Sequence, residues 1–366
     1  MSNAFYDIIN KDIKILTDGY HREYNNGFML LHTNHSPQVR RNKPCASVTR
    51  AMIELSKAAR PTMYFIGVTT SASSIMKIFP KWAEALGLGD VAIVGVDLPL
   101  HAPREDYRAV ADFIKNDPLS LGALVTTHKI DLFNACRDMF GYIDPFAGIL
   151  GEVSSLSKKG GLFCAHAKDP ISSGLALESF IPEGFWSAHG GEAVLLGAGG
   201  SSLAMSLYFG QIKHGCDAPS KITICNRSAA RLESARAHLS GAAGRIRIEY
   251  RHCPQPADND AVIAELPPFS LVVNATGLGK DAPGSPTTDQ VCFPKDSFIW
   301  EINYRGDLLF MRQALTQKKS GRLFVEDGWT YFIHGWTQVI AEVFHFTISA
   351  DDLTRLSEIA ICTHPT

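Results

Sequence analysis

Two stretches of this chain carry residues whose types and order suit the phosphates of a nucleotide. The first is Gly197-Ala198-Gly199-Gly200-Ser201-Ser202, which follows the apolar run Ala193-Val194-Leu195-Leu196 and opens an Ala/Leu-rich segment with helical spacing. Behind a strand, glycines permit a tight turn and a close approach of backbone to a pyrophosphate, and the free N–H groups at the next helix start attract its charge. Ser202 stands where the G-x-G-x-x-G fingerprint has its third glycine, so a turn that serves packing alone also fits. The second stretch is Ile224-Cys225-Asn226-Arg227-Ser228-Ala229-Ala230-Arg231. An NAD site places Asp or Glu at the end of this strand for the ribose 2′-hydroxyl, whereas here Arg227 and Arg231 offer guanidiniums. Arg makes paired, charge-assisted bonds to phosphate oxygens, which favours NADP over NAD. The plainer reading is a pair of solvated charges on a helix surface.

These residues need a scaffold, and the apolar pattern supplies one. Runs at 63–67, 91–95 and 121–125 read as buried strands, and the segments 73–86, 106–115 and 129–139 read as helices. Strand and helix in alternation predict parallel βαβ units, with shorter strands at 148–155 and 162–164 completing a first domain. A Gly/Pro-rich stretch across 181–191 marks a boundary. Six further strands follow at 193–196, 222–225, 246–250, 271–274, 298–302 and 323–325, enough for a doubly wound sheet. A helix at 327–345 is expected to return to the first domain. The fold class is therefore α/β, with an N-terminal substrate domain at 61–185, a Rossmann domain at 186–326 and a closing helical segment at 327–366. Residues 1–60, with a helix-like run at 47–59, receive no role.

Bulk properties narrow the partners. A chain of 366 residues exceeds one hydrophobic core, and a net charge of −2 provides no basic field for nucleic acid or an anionic membrane. Its eight cysteines form no C-x-x-C pair and several lie in apolar runs, which reads as reduced, buried thiols. No cluster has metal spacing, so no metal is expected. No leader or membrane-spanning run is visible. A cytoplasmic protein acting on a small molecule, as a monomer or homodimer, is the expectation.

From residue 62 to 346 the chain resembles the shikimate/quinate dehydrogenase family. Gly197-Ala198-Gly199-Gly200 with Ala204 is similar to that family's G-A-G-G-A-x-x-A turn, and Asn226-Arg227-Ser228 to its N-R-T cofactor motif. Asn274-Ala275-Thr276 resembles the N-A-T-P motif beside the nicotinamide, Glu301-Ile302-Asn303-Tyr304 the D-x-x-Y element, and Asp327-Gly328 the D-G before the last helix. In the first domain, Val125-Thr126-Thr127-His128-Lys129 resembles V-T-x-P-x-K shortened by one residue, Glu152-Val153-Ser154-Ser155 stands at A-V-N-T, and Ala167-Lys168-Asp169 at N-T-D.

The resemblance implies a reversible alcohol–ketone oxidoreductase using NADP, with Lys129 moving the hydroxyl proton and Asp169 orienting it. It implies substrate contacts from Ser73, Ser154, Tyr304 and a glutamine on the last helix, which counts to Gly335 from one end and to Gln338 from the other. Departures concentrate around the substrate. The family's second serine falls on Ile75, Ser154 replaces its asparagine, and Lys168 is new. Lys168 either supplies positive charge to an anionic substrate group or is a solvated surface lysine; Asp169 before Pro170 also fits a helix N-cap. His128 is expected to pack, and His334 and Trp336 either line the cleft or belong to the core. Shikimate/3-dehydroshikimate or quinate is the leading substrate, another cyclitol, aminocyclitol or phosphorylated relative comes next, and a catalytically silent NADP-binding regulator is the alternative from another class.

Overall fold

Apolar runs that fill whole strands, rather than alternating, require sheets covered on both faces. Two such sheets are present in the computed structural model, which describes residues 55–211, 215, 217–280 and 282–362. The first contains β1 (Thr62–Gly67), α1 (Ile75–Ala85), β2 (Ala92–Asp97), α2 (Arg104–Asn116), β3 (Ser120–Val125), α3 (Lys129–Cys136), β4 (Tyr142–Ile143), α4 (Pro145–Leu150), β5 (Ser155–Lys159) and β6 (Leu162–His166). Its strand order is β2-β1-β3-β5-β6-β4. Strand β5 runs antiparallel to both β3 and β6. The carboxyl ends of β3 and β6 therefore emerge on the same edge, two strand spacings or about 10 Å apart.

After α5 (Asp169–Phe180) and α6 (Phe185–His189) comes the second sheet, with β7 (Ala193–Leu196), α7 (Gly200–Phe209), β8 (Lys221–Asn226), α8 (Ala229–Leu239), β9 (Arg247–His252), α9 (Pro256–Ala264), β10 (Leu271–Asn274), β11 (Phe298–Glu301), α10 (Leu309–Gly321) and β12 (Phe324–Glu326). All its strands are parallel in the order β12-β11-β10-β7-β8-β9. This is the doubly wound arrangement, whose order reverses between β7 and β10 and opens a crevice at their carboxyl ends. Helix α5 lies against α7, and Gly174 makes that contact possible: a Cβ there would sit 2.2 Å from the ring of Tyr208.

The last helices, α11 (Trp329–Phe344) and α12 (Ala350–Ile361), pack on the first sheet. Ile333, Trp336, Val339, Ile340 and Val343 share a core with Met63, Phe65, Phe79 and Trp82, joined by Leu356 and Ala360. Trp336 meets Phe65 edge to face at 4.9 Å, so this tryptophan is core. No helix among the described residues is long and apolar enough to cross a membrane.

Several expectations need correction. Of the strand placed at 148–155, residues 148–150 are the end of α4, 151–154 are turn and loop, and only Ser155 enters a strand, β5. Asp144 accepts a hydrogen bond from Ala147 N at 2.9 Å, Pro145 occupies the first turn, and left-handed Gly151 ends the helix. Capping chemistry overrode the β-like look of Ile149 and Leu150. The helix expected to reach 139 stops at Cys136 and continues as a short 3-10 turn. Most of the helix-like run at 47–59 lies outside the described residues, and residues 55–59 are neither helix nor strand. Cys136, Cys164, Cys225 and Cys253 are buried as free thiols, but Cys292 and Cys362 are exposed.

His334 of α11 is 5% exposed, and its Nδ1 finds no hydrogen-bond partner. Burial pushes its pKa down to about 4, against the pull of Glu178. An unfolded histidine titrates near ~6.5, so the fold holds His334 neutral at full stability above that pH and loses stability as pH falls towards 4. In His334→Phe, the loss of melting temperature between pH 7.5 and pH 4.5 is expected to shrink, by the equivalent of about 3 kcal/mol at most. An unchanged acid loss would place the titrating group elsewhere.

Candidate active site

Lys129 is the first residue of α3, reached from β3 by a turn in which Thr127 takes a left-handed φ of 51°. That tight turn absorbs the residue missing from the V-T-x-P-x-K pattern. Asp169 is the first residue of α5, three positions beyond the end of β6. Each side chain thus starts from a strand end on one edge of the sheet, and the long lysine stem spans the gap. The Lys129 ammonium donates to Asp169 Oδ2. Asp169 makes no helix cap; Lys168 holds that position without a side-chain cap bond. Burial works against the Lys129 charge, but Asp169, Glu152 and Tyr331 outweigh it and hold its pKa above the usual lysine range. The ammonium is thereby kept as an acid, with a carboxylate fixing its direction. His128 is buried beside it, Nε2 at 3.1 Å from Leu98 O and Nδ1 at 3.1 Å from Tyr107 O–H, and so serves packing.

Three groups that sequence reasoning missed complete this cluster. Glu152, 2% exposed, sits between α4 and β5 and faces both Lys129 and Asp169. Tyr331 on α11 interacts with Lys129 and Asp169 and hydrogen-bonds with Ser201 on α7, which ties the closing helix to the glycine turn. Glu342 lies further along the same face of α11, since Tyr331, Gly335, Gln338 and Glu342 follow the i, i+4, i+7, i+11 spacing of one helix stripe. Gly335 and Gln338 therefore share that stripe. A Cβ at Gly335 would meet nothing within 4 Å, so space is open there.

Lys168 is not a solvated lysine. Its side chain is 7% exposed and its ammonium donates to Glu342 Oε2, while Glu342 Oε1 lies 3.2 Å from His166 Nε2. The charge offered to an anionic substrate is thus already paired. Ser154 is likewise engaged: its Oγ accepts from Lys168 N at 2.7 Å and donates to His166 O at 3.4 Å, bracing the turn that delivers Asp169. Ser73 and Ser74 both hydrogen-bond with Tyr304, whose pKa burial raises. Ile75 is fully buried in the core. The hydroxyls that converge on Tyr304 are thus those of adjacent residues, and Ser74 is the one the residue count overlooked.

The doubly wound sheet carries a cleft of about 630 Å³ lined by Gly197, Ala198, Gly199, Asn226, Arg227, Ser228, Arg231, Ala275 and Thr276. Gly197 has φ 109°, and a Cβ on it would lie 2.6 Å from the Ala275 carbonyl oxygen, so only glycine fits. Ser202 is buried and donates to Gly197 O at 2.6 Å, which explains how the turn dispenses with a third glycine. Ser228 caps α8, its Oγ accepting from Arg231 N at 3.4 Å. Arg227 and Arg231 are exposed, and neither guanidinium joins an ion pair among the described residues. Asn274 is buried, donating to Glu301 Oε2 at 2.7 Å and accepting from Thr276 Oγ1 at 2.7 Å, so it shapes the third loop from behind. Gly200, Ser201 and Asn274 stand outside the cleft lining; Gly200 and Ser201 lie at the end that faces the Lys129 cluster, beside Glu152 and Tyr331. An open cleft with a glycine-rich turn and two uncommitted cations fits a dinucleotide that carries an extra phosphate.

Comparison with known proteins bears on the same regions. A shikimate dehydrogenase (NADP(+)) of Symbiobacterium thermophilum is 31% identical over 201 residues, which cover 54% of this chain and 63%, less than two thirds, of that protein. One from Methylocella silvestris is 27% identical over 248 residues, or 68% of this chain and 78% of that protein. Over these stretches the chain is similar in sequence to shikimate dehydrogenases, and it diverges from them elsewhere. No protein-family model matches it. The fold agrees with solved structures of the family: quinate dehydrogenase from Corynebacterium glutamicum in complex with NAD has a TM-score of 0.65 at 19% identity, covering 83% of this chain and 99% of that one. Shikimate 5-dehydrogenase from Thermus thermophilus, in complex with NADP(H) and shikimate, has a TM-score of 0.59 at 20% identity, covering 82% and 99%.

Proposed function

We propose that this chain catalyses reversible hydride transfer between NADP(H) and a cyclic polyol or its ketone, with shikimate/3-dehydroshikimate or quinate as the leading pair. The observation that carries this reading is the Lys129 ammonium held on Asp169 beside the glycine turn of the doubly wound sheet. Gly197, Ala198, Gly199, Gly200 and Ser201 would hold the diphosphate, Asn226, Arg227, Ser228 and Arg231 the 2′-phosphate end, and Asn274, Ala275 and Thr276 the loop beside the nicotinamide. NADP bound there supplies the hydride acceptor or donor. During ketone reduction Lys129 donates the proton to the forming alkoxide; in the reverse direction its neutral amine takes the hydroxyl proton. Asp169 fixes the lysine's direction and balances its charge. Ser73, Tyr304 and Gln338 contact the substrate, with Ser154 and Lys168 shaping the same wall.

A second substrate reading has its own support. Ile75 removes one hydroxyl, Ser154 is engaged by backbone, and Lys168 is paired with Glu342, so a different cyclitol, an aminocyclitol or a phosphorylated relative fits as well. The test is a screen of purified protein with NADP and NAD against cyclic polyols and their ketones, followed by absorbance of the reduced nicotinamide. Turnover of shikimate or quinate supports the first reading, and turnover confined to another cyclitol supports the second. NADP binding without turnover of any member would reject both.

A further inference from the structure

The buried carboxyl of Glu152 has no part in the mechanism above, and its surroundings are unusual. One oxygen, Oε1, has no hydrogen-bond partner. The other, Oε2, lies 2.7 Å from where a Cβ on Gly200 would stand, so the carboxyl presses on the first residue of α7. The groups facing it are Lys129 from α3, Asp169 from α5 and Tyr331 from α11, while His238 of α8 approaches the preceding residue, with Nε2 3.4 Å from a Cβ position on Gly151. Two carboxylates thus compete for one ammonium, and one of them occupies the mouth of a phosphate-binding turn. The A-V-N-T pattern that this stretch resembles has alanine where Glu152 stands.

A helix start with its free N–H groups tolerates one negative charge well. Bringing a dinucleotide diphosphate to the same turn sets two negative charges side by side in a poorly hydrated place, where repulsion favours the protonated acid. We propose that Glu152 is a positioning residue that takes up one proton from solvent when a dinucleotide docks on the Gly199–Gly200 turn, leaving Asp169 as the single charged partner of Lys129. The inference rests on the reading of that turn as the cofactor site. Burial already raises the Glu152 carboxyl to about 7, with Lys129 opposing and Asp169 adding to the rise, so it is poised to respond.

The sign follows from linkage. At pH 8 the free protein holds Glu152 mostly ionised, and a site that prefers the acid gains a proton on binding; at pH 6 the proton is already present and none is gained. Titration calorimetry of the full chain with NADP, in two buffers of different ionisation enthalpy, reads this directly and needs no substrate. Uptake of about half to one proton is expected at pH 8 and close to none at pH 6, with the Kd weakening about threefold to tenfold from pH 7 to 8.5. The 2′-phosphate titrates near ~6 and adds little at pH 8. In Glu152→Gln both the uptake and the pH dependence of Kd should vanish while binding persists. Glu152→Ala serves as the second variant, and the wild-type pH series stands alone if neither folds. Binding without proton uptake at pH 8, or equal uptake in Glu152→Gln, would overturn the role of Glu152 and leave the cofactor reading intact. Absence of any NADP binding would overturn the cofactor reading and this inference with it.

Discussion

Lys129→Ala is expected to lower kcat by about 10²–10⁴-fold while the Kd for NADP stays within about threefold of wild type. The large effect follows from chemistry that only Lys129 can supply, because no other cation faces Asp169 among the described residues. NADP affinity should survive because the glycine turn and the two arginines belong to a different sheet. Removing the ammonium also takes away the group that opposes the rise of the Glu152 carboxyl, so that acid becomes more protonated and adds no charge against the diphosphate. Asp169→Asn separates a chemical role from a structural one. Burial lowers the Lys129 pKa and the Asp169 carboxylate does most to raise it, so the variant should lose ketone reduction at lower pH, as the ammonium deprotonates earlier. A fall in kcat with an unmoved alkaline limb would assign Asp169 to packing. Equal loss of NADP binding and turnover in Lys129→Ala would do the same for the lysine.

What could be read in advance, and what could not, has a physical cause at each position. Strands buried on both faces announce themselves as unbroken apolar runs, which is why 193–196 and 271–274 correspond to β7 and β10 residue for residue. Residues 148–155 misled because Ile149 and Leu150 suit a strand, while Asp144-Pro145 and Gly151 set helix ends by local hydrogen bonds. In the site, Lys129 and Asp169 come together because β5 inverts between β3 and β6, a pairing that spacing along the chain does not reveal. Lys168 looked available because its partner Glu342 lies 174 residues away. Glu152 was visible only as an odd residue in a motif, since its meaning depends on Gly200 of another layer. The uncertainty between Gly335 and Gln338 mattered less than it first seemed: one helical turn of displacement keeps a residue on the stripe that also bears Tyr331 and Glu342.

Replacing both Arg227 and Arg231 with alanine should raise the Kd for NADP by about tenfold to a hundredfold and change that for NAD by less than about threefold. Both guanidiniums line the cleft after β8, exposed and free of ion pairs among the described residues. A 2′-phosphate brings close to two negative charges, and each guanidinium can meet it with paired donors. NAD offers only a hydroxyl at that place, and no carboxylate stands at the end of β8 to receive it, because Asn226 and Arg227 occupy those positions. Selectivity should therefore come from the NADP side. Exposure lets salt screen the attraction, so wild-type NADP affinity should fall between 0.05 and 0.5 M KCl, roughly from a Debye length of 14 Å to one of 4 Å. NAD affinity should move far less, and the double variant should bind NADP with the shallow salt dependence of NAD. If wild-type protein bound NAD as tightly as NADP, or if the variant kept its preference, the arginines would be ordinary helix-surface charges and the selectivity would have to arise from the walls of the cleft.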